Sequence, residues 1–461
     1  MSQTEAGFPA DLVSAVIKAY DVRGLVGEQI TSDFVQAVGA AFVEALDLRE
    51  AGSVVIGHDM RDSSPRFADA FAKGVTEHGV DVVMIGLCST DGLYFASGRL
   101  DMPGAMFTAS HNPAAYNGIK LCRAGASPVG QDSGLADIAD MVVRGVPGYD
   151  GPSGSITKRE MLEEYADYLL SLVPALQRRL KVVVDAGNGM AGLTAPVVFS
   201  KLPAEVIELY FELDGNFPSH EANPIDPQNL VDLQAAVKQH GADIGLAFDG
   251  DADRCFVVDE RGELVNPSTL MALIASQELQ RVPGAPVIHK LITSRAVPVI
   301  IAENGGVPVV TRVGHSFIKA EMATTGAAFG GEHSAHYYFR DNFRADSGLI
   351  AAMHVLELLC AADQPMSVLR APYDRYADSG EINTQVADPA AVIDSVAAAF
   401  ASSHPEAAQD RLDGLTVDMG DWWFNLRPSN TEPLLRLNLE ARTRDECDAR
   451  TSELLHLITK G

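Results

Sequence analysis

Apolar runs of strand length alternate along this chain with longer stretches in which apolar residues recur at helical spacing. That alternation predicts α/β units with parallel strands. It also repeats. The first block carries strand-like runs at 53–59 (SVVIGHD), 81–87 (DVVMIGL) and 104–110 (GAMFTAS). The second carries them at 181–187 (KVVVDAG), 205–211 (EVIELYF) and 243–249 (DIGLAFD), and the third at 286–290 (PVIHK), 307–313 (VPVVTRV) and 326–332 (GAAFGGE). Each third run leads into a polar loop: TASHNP, DGDADR and GEHSAH. Ligands of open α/β sheets bind beyond the carboxyl ends of the strands, so three related domains would each deliver one loop to a shared cleft.

The Gly-, Pro- and Ser-rich stretch RGVPGYDGPSGS (144–155) reads as a linker. Helical spacing through 156–173 (ITKREMLEEYADYLLSLV) predicts a helix packed across the first junction. A turn in DERGE, closing a hairpin near 260–268, and RAPYDRY (370–376) mark two further boundaries. The expected domains are 1–153, 154–260, 261–371 and 372–461. The last lacks the three-strand pattern and reads as a separate α+β unit.

Length agrees with this division, because 461 residues exceed the roughly 250–300 at which single cores stop growing. Thirty-five basic against sixty-two acidic residues leave a net charge of −27. That argues against nucleic acid or an anionic membrane as the main partner, but not against a small anion held by a few well-placed cations. Five scattered cysteines with no CxxC pair suggest neither a disulfide framework nor a zinc knuckle. The start has no basic segment followed by an apolar core, and no 18-residue apolar run occurs, so a cytoplasmic chain is expected.

Chemistry concentrates in the loops. Ser110 ends a strand run and is followed by His111 and Pro113, which puts a hydroxyl on a turn beside an imidazole. Asn117-Gly118 is a two-residue hairpin signal that would fold Lys120 back along the serine loop. There an ammonium could offset phosphate charge, or exchange a proton if desolvation lowers its pKa. Ser110 alone reads as a turn serine and Lys120 alone as a solvated lysine; together they suggest a reaction.

Asp249, Asp251 and Asp253 alternate along the second loop and can converge on one hard cation through oxygen ligands. An EF-hand would put Glu260 at loop position twelve, but Arg254 stands at position six, where glycine is required, and the flanking runs are strand-like. Mg²⁺ is the expected ion. Glu332, Ser334 and His336 of the third loop supply the donors and acceptors that sugar hydroxyls need, and the H-x-x-H spacing of His333 and His336 falls short of a zinc set. In RPSNTEP, Arg427 offers a donor fork, Ser429 and Thr431 add hydroxyls and backbone N–H groups would fill the rest of an oxyanion cradle, though Ser, Asn and Pro are also common turn residues. No Walker motif appears, which disfavours nucleotide binding. Tyr20-Asp-Val-Arg23-Gly precedes the first block.

The ordered set YDVRG, TASHNP, NGIK, DGDADR, GEHSAH and RPSNTEP resembles the α-D-phosphohexomutase superfamily, in particular its bacterial phosphomannomutase/phosphoglucomutase type, from about residue 18 to 440. The resemblance implies a heart-shaped molecule with a central cleft, three related α/β domains with mixed sheets and a C-terminal α+β domain. It implies a phosphoserine at Ser110 and one Mg²⁺ per chain held by Asp249, Asp251, Asp253 and the Ser110 phosphate. Lys120 and Arg23 would act near the transferred group, Lys120 moving the proton with His111 assisting. Glu332 and Ser334, with His336 nearby, would grip sugar hydroxyls, and Arg427, Ser429, Asn430 and Thr431 the unreacting phosphate. Lys290, His315, Tyr20 and Arg254 complete the expected substrate contacts. The implied reaction interconverts hexose 1- and 6-phosphates of mannose or glucose through a 1,6-bisphosphate, with glucose or mannose 1,6-bisphosphate as activator, in a monomer. Ala335 stands where many relatives have glycine, and His333 at a variable place, so phosphoglucosamine mutase is the alternative sugar reading. A metal-dependent sugar phosphatase or a sensor without turnover are the readings from other classes.

Overall fold

The computed structural model describes residues 6–428 and 434–460, apart from the side chains of His315, Ser316 and Lys460. The first sheet holds β1 (Val22–Leu25), β2 (Ser53–His58), β3 (Asp81–Leu87), β4 (Gly104–Phe107), β5 (Tyr116–Arg123), β6 (Ser127–Pro128) and β7 (Ile156–Lys158). The second holds β8 (Leu180–Asp185), β9 (Ala204–Leu209), β10 (Ile244–Phe248), β11 (Cys255–Asp259) and β12 (Leu264–Val265). The third holds β13 (Pro286–Lys290), β14 (Val307–Thr311), β15 (Phe329–Gly331) and β16 (Tyr337–Phe339). The fourth holds β17 (Ala377–Gln385), β18 (Ala408–Asp410), β19 (Leu415–Asp418), β20 (Trp422–Pro428) and β21 (Leu434–Ala441).

The repeat in the sequence is a repeat in topology. In the first sheet β2 runs parallel to β3 and β4, and β5 returns antiparallel to β4. In the second, β8 is parallel to β9 and β10, and β11 is antiparallel to β10. In the third, β13 is parallel to β14 and β15, and β16 is antiparallel to β15. All three polar loops therefore occupy one topological place, the turn between the last parallel strand and its antiparallel return. The fourth sheet is antiparallel throughout and carries helices Pro389–Ser403 and Arg444–Lys460.

Strands buried on both faces read as continuous apolar runs, and β10 (IGLAF) is buried at every position. The helices are set by local chemistry. Thr31 Oγ1 accepts from Phe34 N at 3.2 Å to start Ser32–Leu46, and Asp47 in the left-handed region (φ 53°) ends it.

Two local expectations fail. Asn117 and Gly118 form no turn: they lie inside β5, paired with β1 on one side and bonded toward Thr108 on the other. The chain reverses earlier, through Ala109–Asn112 and Pro113–Tyr116 bonds. Pairing partners on both edges of β5 override the dipeptide's preference. The helical reading of 156–173 is also too long, because Ile156–Lys158 pairs with β3 and the helix spans only Leu162–Leu172.

One continuous apolar core runs through the first three units, joining Phe95 and Met106 to Val183 and Leu246, and these to Phe329 and Leu356. The fourth has its own, built on Phe400, Phe424, Leu437 and Leu454. Its seam with the third is polar. Arg295 reaches the Gly420 carbonyl (2.6 Å) and Asp418 (2.8 Å), Asn266 donates to Asp378 (2.9 Å), and Val313 N donates to Asp413 (3.0 Å).

Candidate active site

The serine loop leaves β4 at Phe107 and enters β5 at Tyr116. Within it Ser110 sits at φ 49°, left-handed backbone that a non-glycine residue adopts only when its surroundings impose it. The imposing group is Arg61. Its guanidinium donates to the carbonyls of Ser110 (2.8 Å), Asn112 (2.6 Å), Pro113 (2.9 Å) and Tyr116 (3.0 Å). It is buried with Asp59, 3.3 Å away, which also accepts from Ser64 Oγ at 2.6 Å. Neither Asp59 nor Arg61 was singled out in the sequence. The available signal was an Asp-x-Arg step just beyond the carboxyl end of a buried strand.

The second loop closes on the first. Gly250 approaches so closely that a Cβ there would collide with the Ser110 carbonyl oxygen. Ser110 Oγ donates to Asp249 Oδ2 at 2.8 Å and lies 3.3 Å from His111 Nδ1. Asp249 also accepts from Arg254 Nε (2.8 Å) and the Arg254 amide (3.1 Å). Asp251 accepts from Lys120 Nζ (2.8 Å) and Thr90 Oγ1 (2.6 Å), and Asp253 accepts from Lys120 at 2.6 Å. All three carboxylates are buried, and ligand oxygens of Asp249, Asp251 and Asp253 lie within 4.8 Å of one another.

These charges decide the protonation states. Burial, then the neighbouring Asp251, pushes the Asp253 carboxyl well up. Burial alone would depress Lys120, but Asp251 and Asp253 raise it well above the ordinary lysine value. Its two partners come from another unit and outweigh the lost hydration. His111 goes the other way. Burial, then Arg254 and Arg23, holds it well below its usual value, as a neutral imidazole.

Three crowded carboxylates face two cations here, and among the described residues Asp251 Oδ1 and Asp253 Oδ1 are buried without a hydrogen-bond partner. Orphaned acceptor oxygens beside mutually repelling carboxylates fit a hard divalent cation with oxygen ligands.

The third loop follows β15. Glu332 pairs with Lys290 and accepts from Tyr338 Oη (2.5 Å) and Ser334 Oγ (2.9 Å). Burial works against its ionisation, but Lys290 and His336 keep it well below the usual carboxylate range. His336 lies 3.2 Å from Ser334 Oγ and 3.5 Å from Asp253, and burial pushes its pKa down to about 3. A backbone bridge between Arg254 and His336 ties the second loop to the third.

Arg23, on β1, donates to Asn112 Oδ1 at 2.6 Å and so supports the serine loop. Tyr20 sends its hydroxyl to the Val313 carbonyl of the third unit (3.4 Å) and lines a cavity of about 1050 Å³ with Arg312, Phe317 and Asp413. Arg427, at the end of β20, donates to Glu381 (2.6 Å), which also accepts from Arg436 (3.1 Å). Ser429, Asn430 and Thr431, and the side chain of His315, lie outside the described residues. Ser110, His111, Lys120, the three aspartates, Arg254 and His336 thus form one cluster, which Arg23 joins through Asn112 of the serine loop. Glu332, Ser334 and Lys290 adjoin it through His336.

Four successive stretches match descriptions of phosphoglucomutase/phosphomannomutase domains: alpha/beta/alpha domain I at 14–143, domain II at 163–262, domain III at 266–376 and the C-terminal domain at 381–456. The chain is 41% identical over 452 residues to a phosphomannomutase of Salmonella montevideo, covering 96% of this chain and 98% of that protein. It is 40% identical over 445 residues to a protein of Xanthomonas campestris named for phosphohexose mutases, with the same coverage. A solved phosphoglucomutase/phosphomannomutase family protein from Burkholderia thailandensis superposes with a TM-score of 0.87 at 32% identity, over 97% of this chain and 98% of that one.

Proposed function

The chain belongs to the phosphoglucomutase/phosphomannomutase family and is a phosphohexomutase of the bacterial type, and from that premise we propose that Ser110 carries the phosphoryl group it transfers. The observation that carries this reading is the hydrogen bond from Ser110 Oγ to Asp249 inside the three-carboxylate cluster.

Phospho-Ser110 gives its phosphoryl group to the free hydroxyl of a mannose or glucose 1- or 6-phosphate. The phosphorus–Oγ bond breaks as the bond to the sugar oxygen forms. His111, held neutral, takes the sugar hydroxyl proton and returns it to Ser110 Oγ, 3.3 Å from its Nδ1. Lys120, which lies against Asp251 and Asp253, and Arg23 offset charge on the equatorial oxygens, where such catalysis mostly acts. The bisphosphate turns in the cleft and returns its other phosphoryl group. Asp249, Asp251 and Asp253 would hold one Mg²⁺, which when bound neutralises phosphoryl oxygens. Glu332 and Ser334 orient the sugar, and Arg427 receives the distal phosphate after release from Glu381. Glucose or mannose 1,6-bisphosphate restores enzyme that has lost its phosphoryl group. The net charge of −27 argues against nucleic acid as a partner and leaves room for a small anion held by a few cations, and a monomer, implied by the family resemblance, in the cytoplasm completes the reading.

The test is a coupled assay with glucose 1-, mannose 1- and glucosamine 1-phosphates plus a bisphosphate activator, with inorganic phosphate followed in parallel. Turnover of the first two without phosphate release is expected. Preference for the glucosamine compound would shift the sugar assignment, and stoichiometric phosphate release would replace the mutase route with hydrolysis.

A further inference from the structure

Asp91 lies on no part of the reaction route, yet it is fully buried and among the described residues pairs with no cation. Three hydroxyls satisfy it instead, each from a different element. Ser89, the N-cap of helix Thr90–Leu100, donates to one oxygen. Tyr165 Oη, from helix Leu162–Leu172, and Ser347 Oγ, the N-cap of helix Gly348–Ala362, donate to the other at 2.6 and 2.5 Å. Those elements belong to the first, second and third units. A buried carboxylate is costly, and here its hydrogen bonds fix where three helices meet.

Both helix starts tied to Asp91 also touch the metal-binding candidate loop. Thr90 donates its hydroxyl to Asp251 Oδ2 (2.6 Å) and its amide to the Asp251 carbonyl (3.0 Å), gripping one residue by side chain and backbone. On the other flank Gly348 packs against the same loop. A Cβ there would lie 2.7 Å from the Arg254 carbonyl oxygen and 2.8 Å from that of Ala252. The loop is thus clasped between two helix starts whose separation Asp91 sets.

We propose that Thr90 and Asp91 are positioning residues for the cation site: Thr90 aims the Asp251 carboxylate, and Asp91, through Tyr165 and Ser347, locks the three-unit junction that holds Thr90 and Gly348 against the loop. This rests on the reading of Asp249, Asp251 and Asp253 as cation ligands. Groups that orient ligands typically contribute 10–100-fold in metal affinity, so Thr90→Val should weaken Mg²⁺ binding by about 10-fold or more. Thr90→Ser keeps the hydroxyl and should bind nearly as wild type does. Tyr165→Phe and Ser347→Ala, which leave Thr90 in place, should each weaken it by a few-fold.

The experiment is calorimetric titration of the full chain with Mg²⁺ alone, beside a thermal melt of each variant. Val142→Ala, a cavity in the other core of the first unit, is the control that should lower the melting temperature without changing Mg²⁺ affinity. Wild-type affinity in Thr90→Val would overturn the proposal. So would Tyr165→Phe and Ser347→Ala variants that melt early yet bind Mg²⁺ as the Val142→Ala control does. A wild-type chain that binds no Mg²⁺ would overturn the cation reading itself, a result distinct from any difference among variants.

Discussion

Ser110 Oγ stands 2.8 Å from Asp249 Oδ2, across 139 residues of chain and two sheets. The pair brings a nucleophilic oxygen to a buried acidic cluster, and most of the expected behaviour of the enzyme follows from it.

Ser110→Ala removes the acceptor of the phosphoryl group. Turnover should fall to background while hexose phosphate binding by calorimetry stays within a few-fold of wild type. Intact-protein mass should show one phosphoryl group on wild type, lost on treatment with excess hexose phosphate, and none on the variant.

Arg61→Met should act on stability as well as rate. It leaves Asp59 buried without its cation, and breaking such a pair costs roughly 3–5 kcal/mol. It also frees four carbonyls of the serine loop. A lower urea midpoint and a loss of kcat with KM little changed are expected; unchanged stability would mean that Asp59 finds another partner.

Chelation should stop turnover reversibly. Mg²⁺ at about a hundred times its dissociation constant should stabilise the fold by ~2.7 kcal/mol, read as a rise in melting temperature. Asp251→Asn should abolish that rise.

Arg427→Ala should raise KM for hexose phosphates more than it lowers kcat, since the distal phosphate is held alike before and during transfer. Loss of a charge-assisted contact of ~2–3 kcal/mol corresponds to roughly 30–150-fold in KM.

Asp91 gives stability a pH dependence. Burial pushes its pKa up to about 6, with Asp346 also raising it and the Ser347, Ser89 and Tyr165 hydroxyls opposing. The unfolded value is about 3.9. Between the two, the folded chain keeps a proton that the unfolded chain has lost, so this contribution is fully present below about pH 4 and gone above about pH 6. Wild type should lose ~3 kcal/mol relative to Asp91→Asn over that range. Urea melts of both at pH 4.5, 5.5 and 7 measure it, and parallel profiles would refute it.

The threefold repeat was legible because its parallel strands are buried on both faces and leave unbroken apolar runs such as KVVVD and IGLAF. The three loops could be read because each follows such a run. Asn117-Gly118 misled for the opposite reason: a dipeptide preference is local, whereas the pairing that placed it inside β5 comes from β1, nearly a hundred residues earlier. Arg61 escaped notice because most of its partners are backbone carbonyls, which leave no mark in a sequence, and the Asp59-x-Arg61 step is common by itself. The charge state of Lys120 was equally hidden, since the carboxylates that set it stand 131 and 133 residues away.

The polar seam between the fourth sheet and the third has a consequence for how the molecule breathes. Because the seam is joined by polar groups such as Arg295, Asn266 and Val313 N and the fourth unit has its own core, that unit should unfold by itself, and amides of β17 to β21 should swap deuterium together through openings cheaper than global unfolding. Those of β8, β10 and β13, sewn into a common interior, should hold theirs longest.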